Sequence, residues 1–336
     1  MIIPLNLGEQ SYDIVLERGA LNKASEHLNL NRKCLIVTDS GVPTEYAEKI
    51  KKQAKEGYIC VIPQGEKSKC FENYKMLLEK MVEYSFTRTD CVIAVGGGVV
   101  GDLSGFVASS YMRGVDFYNV PTTLLSQVDS SIGGKVAIDF NGVKNIIGAF
   151  YPHKKVLIDS DTLKTLDIRQ VNAGLCEAIK MSLTSDKELF EFIEKSTDLS
   201  KDIDTIIEKS LLIKKNVVEI DPKEKGLRKV LNFGHTIGHA IESHMDGKLL
   251  HGECVALGML PLCSQNVRER LIKVLDKYSL NNSVNIDTDI LISYITHDKK
   301  SSGSKITAIF VNEIGSFEMV EMEIASMKEY INGGIL

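Results

Sequence analysis

An α/β domain built on a largely parallel sheet, followed by a mainly α-helical domain, is the architecture this sequence predicts. Three observations carry the prediction. Up to about residue 160, short β-branched and apolar runs alternate with amphipathic helical stretches. From about residue 168 the strand pattern gives way to long helical periodicities. The length of 336 residues favours two domains over one. The boundary falls near residue 165, giving domains 1–165 and 166–336. No Gly/Pro linker marks it, so closely packed domains are expected, with a cleft between them as the default place for a small ligand.

Taken in order, residues 3–7 and 12–16 flank Gly8-Glu9-Gln10-Ser11 and predict an antiparallel hairpin at the sheet edge. Residues 33–38, 58–62, 91–95, 116–120 and 155–159 predict strands, because they are short, apolar and bounded by turn formers. Helical spacing over 44–55 and 71–84 places helices between strands, so the connections read βαβα and the strands run parallel. In the second half, 173–183, 189–194, 203–219 and 230–244 predict helices. One late hairpin is expected, 305–310 with 316–320, across Asn312-Glu313-Ile314-Gly315.

Composition narrows the function classes. Hydrophobic content of 43% and charged content of 25% exclude a disordered or fibrous chain. A net charge of −5 argues against a nucleic-acid binder, which needs a basic surface. No run approaches the roughly 18 apolar residues of a membrane span, and residues 1–7 lack a basic stretch followed by an apolar one. A cytoplasmic chain with no membrane association is expected. The seven cysteines are scattered without a Cys-x-x-Cys pair, and Cys34, Cys60 and Cys91 read as reduced core residues of strands.

Three stretches carry chemistry. After the strand ending at Val95, Gly96-Gly97-Gly98-Val99-Val100-Gly101-Asp102 leads into a helix and satisfies G-x-G-x-x-G. Glycines let backbone approach a ligand, and a helix N-terminus offers N–H groups to a pyrophosphate. The bland alternative is a tight strand-to-helix turn. No convincing acidic residue follows about 20 positions on, and Asp39, just after a strand, is the better candidate for a ribose hydroxyl. The second stretch runs from Pro121 to Lys135 and on to Lys144-Asn145. Its hydroxyls, its carboxylate Asp129, its Gly pair and its two lysines suit an anionic, hydroxylated ligand, with a solvated loop as the alternative.

The third stretch is Asn232-Phe233-Gly234-His235-Thr236-Ile237-Gly238-His239, followed by His251-Gly252-Glu253. His235 and His239, spaced i, i+4, share one helix face and can reach a common metal, although such a pair also arises by chance. Glu177 and Lys180 at i, i+3 read by themselves as a surface ion pair. Lys214, Arg228, Asn232 and Lys299-Lys300 likewise pass for surface polar and charged groups. Together these cations exceed the needs of one small ligand, unless it carries two anionic groups.

Gly-Gly-Gly-Val-Val-Gly-Asp from Gly96, Pro-Thr-Thr-Leu-Leu from Pro121, Gln-Val-Asp-Ser-Ser-Ile-Gly-Gly-Lys from Gln127, Gly-Leu-Arg from Gly226, the eleven residues from Asn232 and His-Gly-Glu from His251 resemble the 3-dehydroquinate synthase family. They occur in that family's order across nearly the whole chain. Departures are Ser126 and Cys254, where alanine is usual, and Asp221-Pro222, where Asp-Glu is common. The chain beyond Ser301 matches poorly.

The resemblance implies a sugar phosphate cyclase with a Rossmann-like nucleotide-binding domain and a helical metal- and substrate-binding domain, using NAD and zinc or cobalt. It implies Glu177, His235 and His251 as metal ligands, with His239 facing substrate instead. Two histidines and a carboxylate leave positions open, as a catalytic zinc requires. For NAD it implies Asp39, Glu66, Lys69, the loop Gly97, Gly98, Val99, Val100, Gly101 and Asp102, then Thr122, Thr123, Thr162 and Thr165, with Asp129, Lys135 and Lys144 near both cofactor and substrate. Around the substrate it implies Asp129, Lys135, Lys144, Asn145, Lys180, Lys214, Arg228, Asn232, His239 and one of Lys299 or Lys300. Arg113 resembles an arginine that reaches a phosphate across a dimer interface, so a homodimer is expected.

The implied reaction is the second step of the shikimate pathway toward chorismate and the aromatic amino acids. It converts 3-deoxy-D-arabino-heptulosonate 7-phosphate to 3-dehydroquinate and phosphate. Transient oxidation at C5 acidifies the C6 proton, phosphate is eliminated, hydride returns, the ring opens and an intramolecular aldol step closes the carbocycle. A carboxylate and a phosphate on one substrate account for the excess of cations, and closure against water during the reaction is expected. Three rivals are a related cyclase of the deoxyinosose or valiolone type, an NAD- and metal-dependent alcohol dehydrogenase, and an inactive NAD-binding scaffold.

Overall fold

The computed structural model describes residues 1–298 and 305–333. It divides into two compact units, Met1–Leu166 and Asp167–Leu336. In the first unit the elements run β1 (Ile2–Leu5), β2 (Tyr12–Leu16), α1 (Ala24–His27), β3 (Lys33–Asp39), α2 (Thr44–Gln53), β4 (Glu56–Ile62), α3 (Phe71–Glu83), β5 (Cys91–Gly96), α4 (Gly98–Ser110), β6 (Asp116–Pro121), β7 (Lys135–Phe140), β8 (Val143–Phe150) and β9 (Lys155–Ile158). Seven strands form one sheet in the order β1-β2-β9-β6-β5-β3-β4. All neighbours pair parallel except β1 with β2, the edge hairpin that the turn formers after Leu7 predict.

Alternation along the central strands builds two cores, one on each face. Cys34, Ile36, Cys91, Ile93 and Val95 pack on one side with Tyr46 and Ile50 of α2. Leu35, Val37, Val92 and Ala94 pack on the other with Leu77 and Met81 of α3 and with Leu103 and Val107 of α4. A strand buried on both faces must be apolar at every position, and β5 is buried from end to end. Cys34, Cys60 and Cys91 are buried free thiols, as strand-core residues should be.

One hairpin escapes the sequence reading. Lys135–Phe140 pairs antiparallel with Val143–Phe150, where a ligand-binding loop is expected. Its turn is Asn141-Gly142 with φ of +49° and +77°. Positive φ at both central residues is the two-residue hairpin geometry that Asn-Gly favours.

The second unit runs α5 (Ile168–Ser185), α6 (Lys187–Lys195), α7 (Leu199–Ile220), α8 (His235–Met245), α9 (His251–Met259), α10 (Gln265–Lys277), α11 (Thr288–Asp298), β10 (Lys305–Phe310), β11 (Glu318–Glu323) and α12 (Met327–Gly333). Aspartates cap three of these helices: Asp167 accepts from Arg169 N, Asp186 from Leu189 N and Asp198 from Ser200 N. The continuous helix expected over 230–244 is broken instead. A 3-10 turn spans Leu227–Asn232, and α8 starts only at His235, because Gly234 takes a left-handed φ of +77°. The late hairpin forms between β10 and β11 with Phe310 opposite Glu318, two residues later than expected on the second strand. No helix among the described residues is long and apolar enough to cross a membrane.

Candidate active site

In the Asp167–Leu336 unit, three helices bring one carboxylate and three imidazoles together. α5 is buried at every position from Ala173 to Thr184, so Glu177 projects from an enclosed stretch of helix. α8 and α9 approach through missing side chains. A Cβ on Gly252 would stand 1.9 Å from Ala173 O, one on Gly258 2.1 Å from Gly234 O, and one on Gly238 3.0 Å from Cys254 O. Backbones this close set short donor side chains against each other.

His251 Nε2 lies 3.6 Å and His235 Nε2 3.8 Å from Glu177 Oε1. Ligand atoms of His235, His239 and His251 all fall within 4.8 Å of one another. The i, i+4 pair does share a face, with ring centroids 5.3 Å apart. The other ring nitrogens are engaged: His235 Nδ1–H donates to Phe233 O at 3.1 Å, and His251 Nδ1–H donates to Glu242 Oε2 at 3.0 Å. In that tautomer each Nε2 keeps its lone pair on the Glu177 side.

The electrostatics suit a cation. Glu177 is 0% exposed and neither carboxylate oxygen receives a hydrogen bond, although Lys180 Nζ forms an ion pair with Oε2. Open carboxylate lone pairs beside two imidazole Nε2 atoms are a donor set for a divalent metal with positions left for substrate. Burial, reinforced by the positive charge of Lys180, drives His235 well below the ordinary histidine range, which keeps its imidazole neutral. For His251 burial acts in the same direction, but the hydrogen bond to Glu242 and the charge of Glu177 outweigh it and raise the ring.

The surface reading of the neighbouring charges is overturned. Lys180 is 1%, Lys214 5% and Arg228 3% exposed. An i, i+3 spacing reports only that two side chains share a helix face; here α5 is central, and that face is inside. Arg228 NH1 donates to Pro222 O at 2.6 Å. Its loop is wound around Asp221, whose carboxylate accepts the N–H groups of Lys225, Gly226 and Arg228 at 3.0, 2.6 and 3.1 Å. The first two of these bonds hold that carboxyl below its usual range. Asn232 is exposed and donates to Glu224 Oε1 at 2.6 Å. Lys299 and Lys300 lie outside the described residues.

Two residues without a role in the sequence reading hold α9 in place. Arg169 donates to both oxygens of Glu253 at 2.7 and 2.8 Å, and Glu253 Oε2 also accepts Leu250 N–H at 2.7 Å. The glutamate of His-Gly-Glu thus ties the start of the His251 helix to the start of the Glu177 helix. Because the Arg169 side chain is 53% exposed, Arg169→Ala is expected to cost only about 1 kcal/mol. The check is the urea midpoint, and an unchanged value would show that the tie contributes nothing to stability.

In the Met1–Leu166 unit the chain leaves β3 outward to β4 and returns past it to β5, so the order of connections reverses between β3 and β5. The carboxyl ends of two such strands flank the crevice in which α/β sheets bind ligands. Asp39 ends β3, and the glycine run follows β5. Burial raises the Asp39 carboxyl, against the N–H groups of Gly41 and Val42. α4 starts after Gly97 with no side-chain cap, so its first turn presents Gly98, Val99 and Val100 N–H groups without a capping side chain. A Cβ on Gly97 would lie 3.0 Å from Thr123 Cγ2, one on Gly98 3.2 Å from Ser130 Oγ, and one on Gly101 3.1 Å from Asn119 Nδ2. Thr122 N–H donates to Gly96 O at 2.9 Å, and Asp129 sits in the π-turn Ser126–Ser130 behind the loop.

Lys69, 4% exposed, reaches Glu66 at 2.7 Å, Asp102 at 3.3 Å and Asp139 at 4.0 Å. Burial would lower its ammonium, but Asp102 and Glu66 more than offset that. The Asp102 carboxyl is pushed up to about 6 by burial, against the pull of Lys69. The two threonines farthest along are engaged internally: Thr162 Oγ1 donates to Asp159 O, and Thr165 Oγ1 to Thr162 O.

Lys135 opens β7 opposite Phe150, whereas Lys144 and Asn145 stand near the turn end of β8. Asn145, at φ +55°, donates its N–H to Asp139 Oδ1 at 2.8 Å. The two lysines are therefore separated by about four residues of strand, roughly 13 Å at 3.3 Å per residue. Arg113 is exposed and follows Met112 in a left-handed pair, with φ of +69° and +47°. Two consecutive non-glycine residues held there are strained.

Residues 59–173 match the family profile 3-dehydroquinate synthase N-terminal, and residues 174–301 match 3-dehydroquinate synthase C-terminal. A 3-dehydroquinate synthase of Clostridium acetobutylicum is 39% identical over 98% of both chains. Among solved structures, a 2-deoxy-scyllo-inosose synthase complexed with carbaglucose-6-phosphate, NAD+ and Co2+ superposes with a TM-score of 0.90 at 26% identity, covering 99% of this chain and 100% of that one. A 2-epi-5-epi-valiolone synthase from Streptomyces hygroscopicus with NAD+ and Zn2+ bound gives 0.88 at 26% identity, over 98% of each chain.

Proposed function

The chain belongs to the 3-dehydroquinate synthase family, and from that premise we propose that it converts 3-deoxy-D-arabino-heptulosonate 7-phosphate to 3-dehydroquinate and phosphate, with NAD and zinc or cobalt as cofactors. The observation that carries this reading is the convergence of His235 and His251 on the buried carboxylate of Glu177. Identity of 39% to a 3-dehydroquinate synthase, against 26% to the two sister cyclases, favours the carboxylated substrate.

When bound, NAD accepts and returns a hydride at the substrate's C5, and the metal withdraws charge from neighbouring oxygens. The residues of the chain hold these groups and the substrate. Glu177, His235 and His251 are the ligands, while His239, exposed one turn beyond His235, faces substrate. Lys180 pairs with the carboxylate of Glu177 at the buried side of the site. Lys180, Lys214, Arg228 and Asn232 supply the charge and hydrogen bonds that a doubly anionic substrate needs, together with Asp129, Lys135, Lys144, Asn145 and one of Lys299 or Lys300. Asp39 takes a ribose hydroxyl, and the first turn of α4 takes the pyrophosphate. Glu66, Lys69, Asp102, Thr122, Thr123, Thr162 and Thr165 shape that cofactor site. In a homodimer, Arg113 reaches the partner's phosphate site.

The test is phosphate release from the heptulosonate phosphate with substoichiometric NAD and added zinc, while absorbance at the NADH wavelength is followed. Stoichiometric phosphate without accumulating NADH is expected, because the hydride returns in each cycle. Accumulating NADH would replace this reading with an alcohol dehydrogenase. Turnover confined to uncarboxylated sugar phosphates, little affected by Arg228→Ala, would replace it with a sister cyclase.

A further inference from the structure

His251 is the first residue of its helix, where the backbone is held only from one side, and its side chain is 33% exposed. A ring in that position has two rotational settings that exchange Nδ1 and Nε2, and only one of them turns Nε2 toward Glu177. His235 has a main-chain solution to the same problem, the carbonyl of Phe233 two residues back. His251 has a side-chain solution from a different helix, Glu242 Oε2 at 3.0 Å from its Nδ1. Glu242 stands seven residues after His235 on α8, and His239 four after it, so one stripe of α8 carries both imidazoles and this carboxylate. The Glu242 side chain is 19% exposed, so water competes only weakly for the bond.

We infer that Glu242 is a positioning residue of the metal centre, which fixes the tautomer and ring orientation of His251 from the helix that carries His235; this rests on the ligation by Glu177, His235 and His251 proposed above. The carboxylate raises the basicity of the imidazole as a ligand and couples α8 to α9, so the two histidines are set as a unit. Outer partners of this kind typically govern metal affinity by 10- to 100-fold.

Zinc affinity of the wild type, Glu242→Ala and Glu242→Gln, measured by competition with a chromogenic chelator, tests this, alongside visible spectra of the cobalt-loaded proteins and thermal unfolding of the metal-free ones. Glu242→Ala is expected to bind zinc about 10- to 100-fold more weakly and to shift the cobalt bands, with the metal-free unfolding temperature and NAD affinity little changed. Glu242→Gln, whose amide oxygen still accepts from Nδ1–H, should recover part of the affinity and the wild-type cobalt spectrum. Wild-type zinc affinity and cobalt spectra in both variants would overturn the role of Glu242 while leaving the ligand assignment intact. A wild-type protein that binds no zinc would overturn the ligand assignment itself and this inference with it.

Discussion

Glu177→Gln is expected to lose stoichiometric zinc, to slow cyclisation about a thousandfold, equivalent to about 4 kcal/mol of transition-state stabilisation, and to destabilise the metal-free fold as well. The first two losses follow from removing a carboxylate that lies within 4 Å of both His235 Nε2 and His251 Nε2. The third follows from Lys180. Its ammonium is 1% exposed and forms an ion pair with Glu177, so an amide in place of the carboxylate takes a compensating charge away from a buried cation. Breaking one side of such a pair costs about 3–5 kcal/mol, whereas replacing both sides by apolar groups of similar volume is often neutral.

The double variant Glu177→Gln/Lys180→Met separates the two effects. Its urea midpoint should return toward that of the wild type, while zinc content and turnover remain lost. If stability fails to recover, the ion pair is not what the single variant breaks. If Glu177→Gln retains one zinc per chain, Glu177 is not a ligand, and the cluster of His235, His239 and His251 becomes the better donor set.

Much of the first unit is legible because its sheet is buried on both faces. A strand such as Cys91–Gly96 can tolerate no polar side chain, and a short apolar run ended by glycine announces it. The hairpin Lys135–Phe140 with Val143–Phe150 is hidden for the opposite reason: Phe140, Val143, Ile146 and Phe150 are 42–59% exposed, so the second strand carries apolar residues without a buried face, and only the short first strand alternates, with Val136 and Ile138 buried. Its turn, Asn141-Gly142, is a local signal legible in principle. In the second unit, the helix face shared by His235 and His239 follows from spacing alone. That Glu177 joins them from α5 does not, because spacing carries no information about which helix lies at the centre. The same gap makes Lys180, Lys214 and Arg228 look like surface charges. Burial of a cation depends on partners far away in sequence, and the family resemblance, rather than the residue pattern, brings these groups to one site.

Gly252→Ala is expected to disrupt the centre without touching a ligand. The added methyl would sit 1.9 Å from Ala173 O and 2.7 Å from Ala173 C, both backbone atoms of α5. Reaching an ordinary contact of 3.4 Å requires a shift of about 1.5 Å between α5 and α9. Those two helices carry Glu177 and His251, whose ligand atoms are 3.6 Å apart, so the displacement is a large fraction of the distance it alters. Overpacking of this kind costs about 1–3 kcal/mol, and zinc affinity should fall at least as far as with loss of an outer partner, about 100-fold. Ala173→Gly cannot relieve the clash, because the obstacle is a peptide oxygen and not a side chain. Gly247→Ala, in the connection between α8 and α9, is the control. Its Cβ meets nothing within 4 Å and only the left-handed φ of +80° resists it, so about 1–2 kcal/mol of strain is expected with zinc affinity unchanged. Equal zinc affinities for the two glycine variants would mean that close approach of α5 and α9 does not set the metal centre, and the geometry would have to be held by Arg169 and Glu253 instead.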